Sequence, residues 1–184
     1  MEPLRDREKI DQIFNYLTER DPKYGILFKL GVNTGLRISD LIRLRVCDIF
    51  DESRHFREHL ILEEQKTGKE KKIKLNAVVR KYLLDFLEYH PLPYHGFLFY
   101  SQKGGHIGRV QAYRLLKEAG CALNVENFGT HSMRKTWGYW TYKMSRYNIG
   151  LIMDALNHSD QAVTLRYIGI DQDQKDDLYT LVQL

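Results

Sequence analysis

Several basic side chains and a late tyrosine in this chain are of the types that could carry out chemistry on a phosphodiester. Arg37 lies in T-G-L-R-I-S-D-L, and His131 and Arg134 lie in H-S-M-R. Tyr167 follows His158 by nine residues near the end of the sequence. A guanidinium offers two parallel donors to a phosphate, and fixed cations stabilise charge that develops in a transition state. A phenolate beside such cations would be a nucleophile able to attack phosphorus.

Lys66 could supply the proton that a departing oxygen needs. It precedes Thr67 and Gly68 in Q-K-T-G-K, which is a turn signal. An ammonium on a turn can reach a leaving oxygen and protonate it. Five lysines occur between positions 66 and 74, so a basic hairpin that only contacts backbone phosphates is an alternative. Lys69 is the rival of Lys66 for the catalytic role.

Asp40 lies three residues after Arg37 and therefore about one helical turn away. It could hold Arg37 or a nearby histidine, or it could be an ordinary acid at a helix start. The other features also have plain structural explanations: Arg37 as a surface charge, and His131 with Arg134 as a surface pair on one helix face. The chain has 12 tyrosines, so composition alone does not single out Tyr167.

The composition indicates a single domain. A chain of 184 residues with 43% hydrophobic residues can bury one core, and no apolar run is long enough to span a membrane. The net charge of +4 suggests an anionic partner; the middle of the chain is basic and the segment after position 168 is acidic. Cys47 and Cys121 lack metal-ligand spacing and are predicted to be buried. A cytoplasmic location is expected.

Hydrophobic periodicity predicts an α+β fold that is mainly helical. Asp6 is the predicted N-cap of the first helix, Thr130 is the N-cap of a helix that runs through Met144, and Gly120 ends the helix before it. The predicted helices cover residues 5–20, 24–33, 38–44, 77–89, 109–119, 130–144, 149–156 and 162–167.

A change to alternating apolar and polar residues predicts a small antiparallel sheet between the third and fourth helices. Residues 59–65 and 71–75 have the strand pattern, and the turn that joins them carries Lys66. A preceding strand near residues 55–57 would make the sheet three-stranded.

Taken in order, these motifs resemble the tyrosine recombinases, also called the phage integrase family. The resemblance rests on T-G-L-R-I-S-D-L, K-T-G-K in a hairpin, H-S-M-R, and H-S-D with a tyrosine nine residues after the histidine, and it covers residues 5 to 170 approximately. Each motif alone is common, but all of them in this order and spacing are specific. The resemblance implies the catalytic core of a site-specific DNA recombinase or integrase of a phage or mobile element.

The resemblance implies roles for four ligands of the scissile phosphate. Arg37 and Arg134 would bind its non-bridging oxygens. His131 would hydrogen-bond the same phosphate and assist proton transfer, and His158 would be the last phosphate ligand.

By the same resemblance, Tyr167 would attack phosphorus and form a 3′-phosphotyrosyl bond, and Lys66 would be the general acid for the 5′ oxygen. Asp40 matches an acidic position that supports the site. No metal or other cofactor is implied, because the arginines and the lysine would supply the electrostatic stabilisation. The covalent bond conserves the energy of the phosphodiester, so DNA could be rejoined without ATP.

The resemblance also implies partners and organisation. Double-stranded DNA is the expected substrate, with a monomer off DNA, a homo-tetramer on paired DNA sites, accessory DNA-bending proteins as possible further partners, and no membrane. Residues 1–184 are expected to be a single catalytic domain without the N-terminal DNA-binding domain that family members usually carry, and therefore to bind DNA weakly alone. The segment 171–184 would pack on a neighbouring subunit or on its own domain.

Two departures from the family pattern and two other functions remain open. Asn157 stands where the family often has Gly, and Asn tolerates the same left-handed conformation. Met133 replaces a common Leu, which conserves volume. A type IB topoisomerase-like enzyme would use similar chemistry, and a catalytically idle DNA-binding module would use none. All six matched side chains are present, which favours an enzyme, and the H-x-x-R spacing favours a recombinase.

Overall fold

The structure is a computed structural model that describes residues 1–146 and 148–170. The strands are β1 (Leu60–Glu63) and β2 (Glu70–Ile73). The helices are α1 (Arg7–Arg20), α2 (Pro22–Thr34), α3 (Ile38–Leu41), α4 (Val46–Ile49), α5 (Ala77–Tyr89), α6 (Arg109–Ala122), α7 (Thr130–Met144), α8 (Ile149–Leu156) and α9 (Gln161–Ile168). The predicted mainly helical α+β fold is confirmed, whereas the predicted packing of residues 171–184 lies outside the described residues. None of the described helices is both long and apolar enough to cross a membrane.

The central helix, α2, packs against α1, α5 and α7. Asp21 caps its start by accepting a hydrogen bond from a backbone amide of the first turn. Pro22 occupies that turn, where a missing N–H leaves no hydrogen bond unmade. The helix ends at Gly35, whose φ of 64° lies in the left-handed region that favours glycine. The reversal at Gly35 leads the chain directly to Arg37.

The sheet contains two strands, so the prediction of three was wrong. β1 pairs antiparallel with β2 from Leu60 opposite Ile73 to Glu63 opposite Glu70. Residues 55–57 do not join them. They form an isolated bridge at Phe50 and Phe56, and the amide of Arg57 donates to the Ile49 carbonyl (2.8 Å). Residues 55–57 therefore pair with the residues at the end of α4. The short loop between them reverses the direction of the chain before β1 begins.

The helix predicted over residues 38–44 ends at Leu41, and α4 was not predicted. Two other differences at helix ends have identifiable reasons. Thr130 is the first helical residue of α7, and the N-cap is Gly129, whose amide donates to the Ser132 hydroxyl (3.2 Å). α6 continues through Gly120, where a β-carbon would lie 2.9 Å from Cβ of Phe128. Glycine at 120 therefore serves close packing and does not stop the helix. Cys121, predicted to be buried, is exposed.

A second hydrophobic cluster joins α7, α8 and α9, apart from the main core built on α2. It contains the buried side chains of Tyr139, Ile152, Leu156, Ile168 and Ile170. α7 and α9 approach closely at Gly138, where a β-carbon would lie 2.6 Å from Cγ2 of Ile168. This contact sets the distance between the helix that carries Arg134 and the helix that carries Tyr167.

We expect Gly138→Ala to lower the free energy of unfolding by about 1–3 kcal/mol, because the added methyl overpacks the contact with Ile168. Gly150→Ala in α8 is the matched control, since a β-carbon there has only Asn148 Oδ1 within 4 Å, at 3.9 Å. It should be neutral or raise stability by up to about 1 kcal/mol. Urea unfolding of both variants decides the point, and equal stabilities would contradict the close approach of α7 and α9.

Candidate active site

A cationic cleft of about 620 Å³ collects four of the six predicted catalytic residues. Arg37, Lys66, His131 and Arg134 all line it, although they come from three separate parts of the chain. Two arginines that sequence reasoning did not single out, at positions 43 and 109, line it as well, and no Asp or Glu is among its lining residues. A cleft walled by one sign of charge concentrates the field and attracts anions.

Arg37 is placed by the left-handed turn at Gly35 and occupies the position just before α3. Its side chain is 17% exposed, and Nη1 lies 2.7 Å from Oε1 of Glu64. This contact is an ion pair outside the angular range of a hydrogen bond. The guanidinium is therefore held on one side by a carboxylate while it still faces the cleft.

Arg134 is buried and connects three segments. Its Nη1 donates to the carbonyl of Gly35, and its Nη2 donates to the carbonyl of Leu156 (3.0 Å). Burial, followed by the charge of Arg37, lowers the pKa of Arg134. The guanidinium remains a cation at neutral pH, and its two carbonyl contacts fix α7 to the end of α2 and to the end of α8.

His131 lies in the first turn of α7 at the edge of the cleft, with part of its side chain exposed. Partial loss of solvent lowers its pKa, and the charges of Arg134 and Lys135 lower it further. The imidazole is therefore neutral near pH 7 and has one nitrogen able to accept a proton.

His158 follows Asn157, which ends α8 in the left-handed conformation with a φ of 52°. Nδ1 of His158 lies 3.2 Å from the Thr164 hydroxyl, and its ring meets the Tyr167 ring edge to face at 5.0 Å between centroids. Burial, then Arg134, lowers the pKa of this histidine. His158 and Tyr167 are thus in direct contact.

Tyr167 lies in α9, next to the cations of the cleft. Burial raises the pKa of its phenol, and the opposing effects of the charges of Arg134 and Arg37 are smaller. Nζ of Lys135 lies 5.4 Å from the centre of the ring. The phenol is therefore protonated in the free protein, and an attack on phosphorus would require the removal of that proton.

The turn at residues 65–67 carries Lys66 to the cleft, and Asp40 holds this turn. Oδ1 of Asp40 accepts a hydrogen bond from the Gln65 amide (3.0 Å), whereas the sequence suggested Arg37 or a histidine as its partner. Its other oxygen is buried and has no hydrogen-bond partner within residues 1–146 and 148–170. Lys69 lines a different cleft, beside Trp137. The two candidate lysines, Lys66 and Lys69, therefore line different clefts.

Glu64 is a central residue that sequence reasoning missed. Its side chain is fully buried, and it contacts four groups: Arg37, the Thr67 hydroxyl (2.8 Å), Nδ2 of Asn157 (2.6 Å) and Nζ of Lys71 (3.5 Å). Burial alone would raise the pKa of the carboxyl, but the contacts with Arg37 and Thr67 and the charge of Lys71 lower it below its ordinary value. The carboxylate is therefore ionised.

A signal for Glu64 was present in the sequence. Leu60 and Leu62 alternate with residues on the other face of β1, so the same period places position 64 on the buried face. A carboxylate at such a position requires cationic or donor partners. Across the described parts of the chain, no three His, Cys, Asp or Glu side chains are grouped to hold a metal ion.

Comparison with known proteins gives a consistent family match. The model of the phage integrase family matches residues 5–174. A probable integrase/recombinase of Bacillus subtilis, YoeC, is 36% identical over 174 residues, which are 94% of this chain and 92% of that protein. The tyrosine recombinase XerC of Caldanaerobacter subterraneus is 26% identical over 173 residues, which are 91% of this chain and 46% of that protein.

Solved structures share the fold. A XerH site-specific recombinase bound to its palindromic difH substrate superposes with a TM-score of 0.75 at 18% identity, over 97% of this chain and 52% of that one. The XerA recombinase gives 0.75 at 16% identity, over 98% and 64%. The chain thus spans nearly all of the Bacillus protein but about half the length of XerC and XerH.

The lowered pKa of His131 predicts a pH dependence of stability. The unfolded chain takes up a proton near pH 6.5, whereas folded His131 takes it up only at lower pH. The free energy of unfolding should therefore fall as the pH drops below about 6.5, and His131→Gln should make this fall shallower. Titration of the imidazole signals by NMR measures the pKa directly. A His131 midpoint at or above 6.5 would contradict the argument.

Proposed function

Because this chain belongs to the phage integrase family of tyrosine recombinases, we propose that it cleaves and rejoins DNA at specific sites through a 3′-phosphotyrosyl bond on Tyr167. The observation that carries the proposal is the meeting of Arg37, Lys66, His131 and Arg134 around one cationic cleft, with Tyr167 in edge-to-face contact with His158. The reaction requires no metal in this proposal, since side-chain cations stabilise the phosphate.

Arg37 and Arg134 bind the two non-bridging oxygens of the scissile phosphate in this mechanism. Both guanidiniums are held before DNA arrives, one by Glu64 and the other by two carbonyls. Such preorganised charge need not rearrange as negative charge grows in the transition state, so it lowers the barrier. The phosphate in turn neutralises two neighbouring cations.

Tyr167 attacks phosphorus as its proton leaves, and neutral His131, which lines the cleft with Arg134, takes part in that transfer. The lowered pKa of the imidazole keeps its acceptor nitrogen free near pH 7. His158, which is in edge-to-face contact with the Tyr167 ring, donates to the same phosphate. The P–O5′ bond breaks as the Tyr167 oxygen binds phosphorus, and Lys66 protonates the departing 5′ oxygen.

Double-stranded DNA is the substrate in this proposal. The XerH structure described above is that of a recombinase bound to DNA, and the cleft of this chain has the matching charge. We further propose that residues 1–184 act as one catalytic domain and that the protein is monomeric off DNA and tetrameric on paired sites. Accessory DNA-bending proteins would assist it, and it would act in the cytoplasm on the DNA of a phage or mobile element.

Tyr167→Phe should abolish covalent attachment to DNA while DNA binding is retained, because only the nucleophilic oxygen is removed. Nicked duplexes tiled across the DNA that flanks the gene are incubated with the protein and resolved on a denaturing gel. Tyr89→Phe, at an exposed position 77% accessible to solvent, is the control that should still form the adduct. An adduct that persists in Tyr167→Phe would refute the assignment.

The same assay separates the other two functions. Binding without an adduct at any tiled site would favour an idle DNA-binding module. Relaxation of supercoiled plasmids that lack the site would favour the topoisomerase-like alternative.

Lys66→Ala should slow formation of the adduct by about 10²–10⁴-fold, the usual contribution of a general acid. Lys69→Ala removes the same charge three residues away but from a different cleft. It should weaken DNA binding only modestly, through one lost phosphate contact. Single-turnover cleavage rates of the two variants give the comparison, and equal losses would assign both lysines to general binding of the backbone.

A further inference from the structure

We infer that Glu64 and Asn157 form a positioning pair that fixes the Lys66 turn against the segment that carries His158 and Tyr167. The inference rests on the proposed function, in which these two segments supply the general acid and the nucleophile. Neither residue of the pair is assigned contact with DNA; each acts through its neighbours.

Glu64 organises the Lys66 turn from within. Its carbonyl accepts hydrogen bonds from the amides of Thr67 (3.3 Å) and Gly68 (2.8 Å), and its own amide donates to the Lys69 carbonyl (2.9 Å). Its Oε2 also accepts from the Thr67 hydroxyl (2.8 Å). Movement of Glu64 would therefore move the whole turn, and Lys66 with it.

Asn157 reaches this carboxylate from the other segment. Its backbone is fixed by the left-handed conformation and by a hydrogen bond from its amide to the Asp154 carbonyl (2.9 Å). Its side-chain Nδ2 donates to Oε2 of Glu64 (2.6 Å) across 93 positions of sequence. The next residue in the chain is His158, whose ring contacts Tyr167.

Lys71 provides a second connection between the same segments. Its Nζ donates to the Ala155 carbonyl (2.6 Å) and lies 3.5 Å from Oε1 of Glu64. The hairpin is therefore connected to the end of α8 by two hydrogen bonds, one from Asn157 to Glu64 and one from Lys71 to Ala155. Two separate contacts fix the orientation of the hairpin relative to α8, whereas a single contact would allow the hairpin to rotate.

The residue type at 157 is what makes the pair specific. Glycine adopts the left-handed conformation at least as easily as asparagine, so the turn itself does not require the amide. Asparagine, unlike glycine, can both form this turn and donate to a buried carboxylate. Glu64 is fully buried, and the loss of the amide would leave its Oε2 with the Thr67 hydroxyl as its one remaining hydrogen-bond donor among the described residues.

The pair can be tested by Asn157→Gly, which keeps the backbone turn and removes only the amide donor. Asn124→Gly is the matched control, because Asn124 also has a φ of 52° at the end of a helix and is exposed. Hydrogen exchange at Thr67 and Gly68 is the first measurement and does not depend on cleavage. We expect about tenfold faster exchange in Asn157→Gly and no change in Asn124→Gly. Unchanged exchange in both would overturn the inference.

A double-mutant cycle on cleavage is the second measurement. Asn157→Gly alone should slow formation of the adduct by roughly tenfold through misplacement of reacting groups. The same substitution in a Glu64→Gln background should slow adduct formation little further, because the hydrogen bond between positions 64 and 157 is already weakened. Multiplicative effects of the two substitutions would overturn the pair.

A substrate with sulfur in place of the bridging 5′ oxygen tests which group is misplaced. The P–S bond breaks to release a thiolate, which needs no proton from Lys66. The rate of Asn157→Gly should therefore approach that of the wild type on this substrate, as should that of Lys66→Ala. Equal defects on both substrates would mean that the pair does not position the ammonium of Lys66, and would overturn the inference. Failure of the unaltered protein to form any adduct would count against the proposed function, and hydrogen exchange would still decide the pair.

Discussion

Buried positive charge is the constraint on which this structure depends. Arg134 is buried, Arg37 is mostly buried, and the ammonium of Lys71 lies nearby, where burial and then Arg134 lower its pKa. Cations removed from water need compensating partners, or the fold pays a large free-energy penalty. Here the partners are the carboxylate of Glu64 and the carbonyls of Gly35, Ala155 and Leu156. These partners neutralise only part of the positive charge. The cleft therefore retains a net positive charge that a bound phosphate would neutralise.

The carboxylate and carbonyl groups contact these cations because α7 packs very closely on α2 and α9. On one face, Met133 lies against Gly31 of α2, where a β-carbon would be 2.6 Å from the methionine sulfur. On another, Gly138 lies against Ile168 of α9. Arg134, between these contacts, then reaches the ends of α2 and α8. The thioether of Met133 is flexible enough to fit this narrow space, which explains why methionine is accommodated where a leucine was the expected residue.

The sequence was sufficient to predict all of the described helices except α4, and the order of the catalytic candidates, because apolar periodicity and short motifs are local features. Features that depend on distant contacts were missed. Residues 55–57 have a strand-like pattern, but pairing with the chain after α4 decided their conformation. Gly120 was taken as a helix stop, but the packing of Phe128 determines glycine there.

Glu64 was missed for the same reason. Its neighbours in space come from positions 37, 67, 71 and 157, and only the alternation along β1 hinted that it is buried. Asp40 illustrates a smaller difference: its type and position suggested support for the site, but its partner proved to be the backbone amide of Gln65. A single sequence indicates which residue types are available for chemistry, and the tertiary contacts decide which of them meet.

The two carbonyl contacts of Arg134 also bear on the synthesis of the protein. Gly35 lies 99 residues before Arg134, and Leu156 lies 22 residues after it. A chain still emerging from the ribosome could bring Arg37 and Arg134 together, but it would lack the carbonyl of Leu156 and the later residue Tyr167. The guanidinium of Arg134 would then have only the first of its two carbonyl contacts, the one with Gly35. Under the proposed mechanism, a chain that ends before α9 therefore lacks the nucleophile, and the capacity to cleave DNA arises only when α9 has been made and folded.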